Sequence, residues 1–259
     1  VYDDEAPDTA TSPTVVVTGA ASGIGAATIL ELGRRAVNVL AVDRDEDRLL
    51  SAVSIAGVTV VPHVADVTDD DAFAAAVGAA VERFGGIDGM MNNSGILGPM
   101  SRFSDYPTDE FDRVIATNVR AVFVGMKITI PLLRDRGGGA IVNIASTGGM
   151  IGAPELAGYI AAKHAVVGLT RSAALDVARD NISVNAVCPG ATDTPMIAQW
   201  AEGKAQSDVD RQHAVELVTP VGRLGRPEEI ADTAVWLLLD CPSFLTGAVV
   251  PVDGAQTAQ

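Results

Sequence analysis

Thr14-Val15-Val16-Val17-Thr18-Gly19-Ala20-Ala21-Ser22-Gly23-Ile24-Gly25 is the stretch on which the fold turns. Its first five residues are all β-branched, which suits a pleated sheet better than a helix, and the run stops at Gly19, as a buried strand does when it enters a turn. A helix is expected from Gly23 to Arg35, and a second apolar run, Val37 to Val42, closes at Asp43. Continuous apolar runs, without polar alternation, predict strands covered on both faces, the condition of a parallel sheet.

Outward from this unit the rhythm persists. An acidic helix begins near Glu46, followed by a strand from Val58 to Val64, a helix from Asp70 to Phe84 and a strand from Gly86 to Asn92. The second half offers a long helix from Thr108 to Asp135, a strand from Ala140 to Ala145, a helix from Gly158 to Asp180 and a strand from Ser183 to Cys188. Regularity lapses between Pro189 and Pro227, then a helix from Pro227 to Leu239 and a strand from Ala248 to Val252 complete the pattern. Repeated strand–helix–strand units demand right-handed crossovers. The prediction is an α/β, doubly wound, Rossmann-like sheet, mainly parallel, of about seven strands with helices on both faces. Residues 1–13 read as a loose tail, and residues 14–259 as one dinucleotide-binding catalytic domain whose irregular segment at about 190–225 forms a helical flap over the site.

With aromatics at 4% and hydrophobic residues at 48% of 259 residues, the core must be built from Ala, Val, Ile and Leu. A formal net charge of -15 repels polyanions from most directions, so neither nucleic acid nor an anionic membrane is an expected partner; a small-molecule substrate is. Lysine occurs only at Lys127, Lys163 and Lys204, against a larger arginine complement. Cys188 and Cys241 are too few for a disulfide framework, and with His63, His164 and His213 they show no ligand spacing, so no metal is expected. No uninterrupted apolar run approaches the roughly 18 residues that span a bilayer, and Val1 to Pro13 lacks a basic leader, so a cytoplasmic location is expected.

The glycine turn carries chemistry of its own. Gly19, Gly23 and Gly25, with Ser22 and Ile24, sit where a strand yields to a helix, so that backbone amides and the positive helix end can approach a pyrophosphate. Asp43 ends the second strand, where a carboxylate accepts hydrogen bonds from the adenosine ribose hydroxyls and repels a 2'-phosphate. NAD is therefore expected ahead of NADP, with Arg44 alongside as the one feature that could bend the preference. Asp66, after the third strand, reads either as a contact to the adenine edge, with Val67 beside it, or as a simple turn residue. Tyr159 and Lys163 are i,i+4 on a predicted helix and so share one face. At about 4 Å and an effective dielectric of about 20, an ammonium would favour phenolate by roughly 4 kcal/mol, or about three pK units, enough to bring a tyrosine near neutrality as a general base or acid.

Taken in order, T-G-x-x-x-G-I-G, Asn92-Asn93-Ser94-Gly95, Asn118, Ser146, Tyr159-Ile160-Ala161-Ala162-Lys163, Pro189-Gly190 and Thr194 resemble the short-chain dehydrogenases/reductases from about residue 14 to 254. Ser94 stands where that family commonly has Ala, and Gly254-Ala255 where it has a glycine pair, a change expected to have little effect on the chemistry. The resemblance implies an NAD(H)-linked secondary alcohol dehydrogenase or ketoreductase whose catalytic set is Asn118, Ser146, Tyr159 and Lys163. Ser146 would hold the substrate oxygen, Asn118 a water-borne proton relay through Lys163, and Lys163 the nicotinamide ribose. Asn93, Pro189, Gly190, Thr192 and Thr194 would complete the cofactor site. Leu97, Met150, Leu156, Met196 and Trp200, together with Ile197 and Cys188, would make an apolar substrate pocket suited to hydrophobic or cyclic alcohols. The resemblance also implies a homotetramer formed through the two long helices at about 108–135 and 158–180. Two other functions fit the same pattern less well: a 3-oxoacyl thioester reductase, against which Asp43 and the acidic surface count, and a non-catalytic nucleotide sensor, which has no need of a phenol and an ammonium one turn apart.

Overall fold

The computed structural model describes residues 12–57, 59–202 and 219–258. Lys204, His213, most of the expected N-terminal tail and the middle of the expected flap lie outside them. Seven strands form one sheet in the order β3-β2-β1-β4-β5-β6-β7, every neighbouring pair parallel. They are β1 (Thr14–Thr18), β2 (Asn38–Asp43), β3 (Val60–Val64), β4 (Gly89–Asn92), β5 (Gly139–Ile144), β6 (Ile182–Pro189) and β7 (Val249–Val252). Both edge strands carry a proline, Pro62 in β3 and Pro251 in β7, where a missing N–H costs the ladder least and discourages pairing with another chain.

Helices cover both faces: α1 (Gly23–Arg34), α2 (Glu46–Ala56), α3 (Asp70–Phe84), α4 (Thr108–Ile115), α5 (Ala121–Asp135), α6 (Ala157–Asp176), α7 (Pro195–Glu202) and α8 (Pro227–Leu239). One apolar cluster, holding Phe73, Leu133 and Val166, fills the layer under α3, α5 and α6. A second, with Ile29, Leu49 and Ile230, fills the layer under α1, α2 and α8. The fully buried triplet Val15-Val16-Val17 alternates between the two, which is why β1 reads as an unbroken apolar run.

The expected single helix from Thr108 to Asp135 is interrupted: residues Ala116–Arg120 form a π turn between α4 and α5. By length and composition this helical stretch could cross a membrane, yet Val114, Val122, Met126 and Leu133 are packed within the protein. The helix expected to reach Asp180 stops at Asp176, and turns lead through Asn181, at φ 55, into β6.

Since the chain winds outward from β1 to β3 and then from β4 to β7, the strand order reverses between β1 and β4. There the loops leaving neighbouring strands diverge, and a crevice opens at their carboxyl ends.

Candidate active site

That crevice is a cavity of about 630 Å³, lined at one end by Gly19, Ser22, Gly23, Ile24, Asp43, Asp66 and Val67 and at the other by Ser146, Tyr159 and Lys163. Asn93, Pro189, Gly190, Thr192 and Thr194 lie on the same wall system, so motifs scattered over most of the chain meet in one place.

The phosphate end is shaped by close approach. A Cβ on Gly25 would lie 2.0 Å from the Gly19 carbonyl oxygen, and one on Gly23 would meet the Thr194 methyl at 3.0 Å. Gly19 takes φ 65, a left-handed conformation that a side chain would penalise. Gly25 itself does not line the cavity; it lets α1 pack against the turn from behind. Asn93 braces the same turn, its Nδ2 donating to the Thr18 and Gly19 carbonyls at 3.0 Å each, while the Thr18 hydroxyl accepts from the Asn93 and Ser94 amides. The first turn of α1 holds no acidic residue, whereas α2, α3 and α8 each carry two. A glycine-walled helix end without its own carboxylate fits a pyrophosphate.

Asp43 accepts from the Ala21 amide at 3.0 Å and from the Asp45 amide at 3.1 Å, one bond to each carboxylate oxygen. The carboxylate is thereby fixed beside the glycine turn with acceptor capacity remaining on both oxygens. Asp66 caps its own turn, accepting from the Thr68 amide and hydroxyl, and these bonds hold its carboxyl below the usual range. Arg44 is drawn towards Asp66 at 3.9 Å and Arg48 towards Asp45 at 3.4 Å, so both guanidinium groups near Asp43 face acids.

At the catalytic end, Ser146 follows β5 and its Oγ accepts from the Gly148 amide at 3.0 Å, an N-cap for the short 3-10 turn Thr147–Gly149. Tyr159 and Lys163 come from the first turns of α6, as their spacing predicts. A buried polar chain fixes this helix to the sheet: Asn92 Nδ2 donates to Asn143 Oδ1 at 2.8 Å, and Asn143 Nδ2 donates to the Thr170 hydroxyl on α6 at 2.9 Å. Lys163 Nζ, almost fully buried, donates to the Ile144 carbonyl at 2.8 Å and lies 5.7 Å from the centre of the Tyr159 ring.

The expected effect of Lys163 on Tyr159 is not what this geometry gives. Burial pushes the phenol up, and the opposing influence is the hydrogen bond with Ser146, not the ammonium. Burial also brings Lys163 down to about 8. A pair distance in a uniform dielectric omits the cost of removing both groups from water, and here that cost dominates. Ser146 therefore does more than orient: it is the neighbour that makes the phenol easier to ionise.

Asn118 sits inside the π turn, fully buried and behind the cavity wall. Its Oδ1 accepts from the Ile96 amide and its Nδ2 donates to the Ile96 carbonyl, each at 2.8 Å. A Cβ at Gly95 would stand 3.4 Å from Asn118 Oδ1 and 3.7 Å from Lys163 Nζ, so both groups converge behind that glycine.

Of the expected substrate-pocket residues, Leu97, Leu156, Met196, Ile197 and Trp200 line the cavity. Met150 and Cys188 do not. Met150 ends the 3-10 turn and faces outward, 39% exposed, while Cys188 is sealed under the sheet end, where burial raises its thiol. Apolarity alone does not say which wall a residue joins. Sequence reasoning also missed Gln256, which the parallel pairing of β7 with β6 carries back to the cavity, and Arg113 and Thr117 on the helical stretch leading to Asn118. His63 and His164 stay outside the site, and among the described residues no cluster of His, Cys, Asp or Glu has metal-holding geometry.

The doubly wound sheet, the glycine-walled crevice and a serine, tyrosine and lysine at its far end define a dinucleotide-dependent oxidoreductase. The chain belongs to the short-chain dehydrogenase/reductase family: a family model described as Enoyl-(Acyl carrier protein) reductase matches residues 19–257. It is similar to levodione reductase of Leifsonia aquatica, at 38% identity over 96% of this chain and 95% of that protein, and to cyclohexanol dehydrogenase of Acinetobacter sp. (strain SE19), at 38% over 94% of each. The crystal structure of levodione reductase superposes with a TM-score of 0.92 at 37% identity, covering 96% of this chain and 98% of that one. An actinorhodin polyketide ketoreductase variant with NADPH gives 0.91 at 34% over 96% and 98%, and NAD+-bound xylitol dehydrogenase 0.89 at 34% over 95% and 99%.

Proposed function

We propose that this chain interconverts a cyclic secondary alcohol and its ketone, with NAD(H) as the redox partner. The observation that carries the reading is the convergence of Ser146, Tyr159 and Lys163 on one cavity with the glycine turn, its substrate end walled by Leu97, Leu156, Met196 and Trp200. Relatives named for levodione, cyclohexanol and hydroxycyclohexanecarboxylate support a ring-shaped substrate.

A bound nicotinamide supplies the hydride acceptor or donor. Tyr159 takes the proton from the alcohol oxygen in one direction and returns it in the other. Ser146 Oγ holds that oxygen and shares a hydrogen bond with the phenol, so the proton has a short path. Lys163, buried 5.7 Å from the centre of the Tyr159 ring, would hold the nicotinamide ribose hydroxyls, and Asn118 fixes the Ile96 backbone behind it, where a water-borne proton relay would run.

Support for NAD over NADP comes from Asp43, whose fixed carboxylate would face a 2'-phosphate while Arg44 and Arg48 are engaged with acids. Steady-state kinetics with both dinucleotides test this reading: a preference for NAD that Asp43→Ala relaxes is expected, and a wild-type preference for NADP overturns it. Tyr159→Phe is expected to lose nearly all turnover on ring alcohols while still binding dinucleotide, and substantial residual turnover defeats the role given to Tyr159. The acidic chain and apolar wall count against a phosphopantetheine thioester, which belongs in the same substrate panel. We also propose a cytoplasmic homotetramer joined through α5 and α6. Phe123 on α5 is half exposed and Leu175 on α6 is 80% exposed, faces that a second copy would cover. Sedimentation equilibrium checks the assembly, and a monomer alone removes it.

A further inference from the structure

Tyr106 follows the 3-10 turn Phe103–Asp105 and precedes α4, and its ring meets Phe111 of α4 edge to face, with centroids 6.5 Å apart. Its hydroxyl is buried and, among the described residues, has no hydrogen-bond partner. A buried hydroxyl left unpaired is costly. Phenylalanine would avoid the cost while filling nearly the same space, so the oxygen calls for a reason.

Two buried glycines supply one. A Cβ on Gly158 would lie 2.7 Å from the Tyr106 oxygen, and one on Gly98 would lie 2.8 Å from it, so the tip of one side chain stands against both. Gly98 follows Leu97 on the loop that leaves β4, and both line the cavity. Gly158 immediately precedes Tyr159 in the first turn of α6. The loop is braced elsewhere too: Asn118 holds Ile96 through two bonds of 2.8 Å, and the Ser101 amide donates at 3.0 Å to the carbonyl of Glu155, just before α6. Tyr106 is thus wedged where the Leu97 wall and the start of α6 come together, yet it does not itself line the cavity. Any effect on a substrate passes through its neighbours.

We propose that Tyr106 is a positioning residue: its phenol oxygen, set between Gly98 and Gly158, fixes how far the Leu97 wall stands from Tyr159 and so limits the bulk of ring that the cavity accepts. The proposal rests on the cyclic-alcohol reading given above. A close-packed wall discriminates between rings by single methylenes only while the groups behind it cannot recede.

The test compares kcat/KM for cyclooctanol with that for cyclohexanol, with the preferred dinucleotide, in wild type, Tyr106→Phe and Tyr106→Leu. Removing the oxygen, and then the ring, lets the wall recede, so the cyclooctanol-to-cyclohexanol ratio should rise about threefold in Tyr106→Phe and about tenfold in Tyr106→Leu. A side chain that only stabilised the fold would leave this ratio alone. Tyr106→Phe, which keeps the ring, carries the comparison if Tyr106→Leu does not fold. A second arm reads the α6 side: Gly158→Ala sets a methyl 2.7 Å from the phenol oxygen and should lower kcat on cyclohexanol about tenfold in folded enzyme. Adding Tyr106→Phe should bring kcat back to within about threefold of wild type, because the nearest ring carbon is then 3.1 Å away. Unchanged ratios in folded Tyr106 variants, a Gly158→Ala protein with full kcat, or a loss that Tyr106→Phe does not relieve overturns the proposal and leaves the cyclic-alcohol reading standing. A wild type that binds reduced dinucleotide but turns over neither ring alcohol defeats that reading and the proposal with it.

Discussion

Replacing Gly25 with Ala puts a methyl carbon 2.0 Å from the Gly19 carbonyl oxygen and 2.7 Å from Asn93 Nδ2. Side chains essentially never approach closer than 3.0 Å, so α1 and the glycine turn must part by about 1 Å. The turn is held by the two bonds from Asn93 Nδ2 to the Thr18 and Gly19 carbonyls, each already 3.0 Å long. Losing both, at about 1 kcal/mol each, removes about 2 kcal/mol from the ordered state of the dinucleotide site, or about thirtyfold in affinity. Fluorescence titration with NADH and NADPH measures this directly, with circular dichroism to show that the variant is folded. Gly78→Ala is the control: nothing lies within 4 Å of its added methyl, so the helix gains about 0.5–1 kcal/mol and affinity stays put. A Gly25→Ala protein that binds either dinucleotide within about threefold of wild type would refute the claim that close approach shapes this turn.

Three further outcomes are expected. Because burial raises the Tyr159 phenol, the base form is scarce at neutral pH; kcat/KM for alcohol oxidation should climb with pH from about 6 to 9, while ketone reduction, which needs the protonated phenol, stays level until that group ionises. An oxidation profile that peaks at or below neutrality contradicts this. Ala255→Gly relieves the left-handed strain at φ 70 and should stabilise by about 1 kcal/mol, raising Tm by roughly 2–4 °C in calorimetry; a lower Tm argues against the strain. The Tyr106 hydroxyl, wedged where Cβ atoms on Gly98 and Gly158 would be 2.8 and 2.7 Å away, is buried without a partner among the described residues. Tyr106→Phe should therefore leave stability unchanged or raise it by about 1 kcal/mol in urea titration, and a clear loss would reveal a bond to that oxygen.

The strands were legible because a sheet covered on both faces writes itself as β-branched runs, and Val15-Val16-Val17 serves both layers. Tyr159 and Lys163 were legible for a similar reason: helix periodicity fixes their common face before any tertiary contact is known. The π turn left no such mark. One surplus residue in Ala116–Arg120 changes neither the composition nor the propensity of the helix, and the bonds its Asn118 makes are to Ile96, on another segment. Gln256 was hidden likewise, since only the register of β7 against β6 brings the chain end to Thr147, 109 residues away in sequence. The misplacement of Met150 and Cys188, and the wrong sign for Tyr159, share one origin: residue type reports affinity for an apolar place, while the direction a side chain takes and its loss of water belong to the packed whole.

That surplus residue in the helix has a genetic corollary. Deleting any one position between Ala116 and Arg120 would let the backbone relax into an ordinary α-helix, and everything on one side of the lesion would rotate by about 100° about the axis. Asn118 could then face Ile96, or α5 could keep its seat in the core, but not both. Elsewhere on the exterior of this helical stretch the chain can absorb exchanges of one side chain for another; within these five codons, a change of length is the mutation it has no means to accommodate.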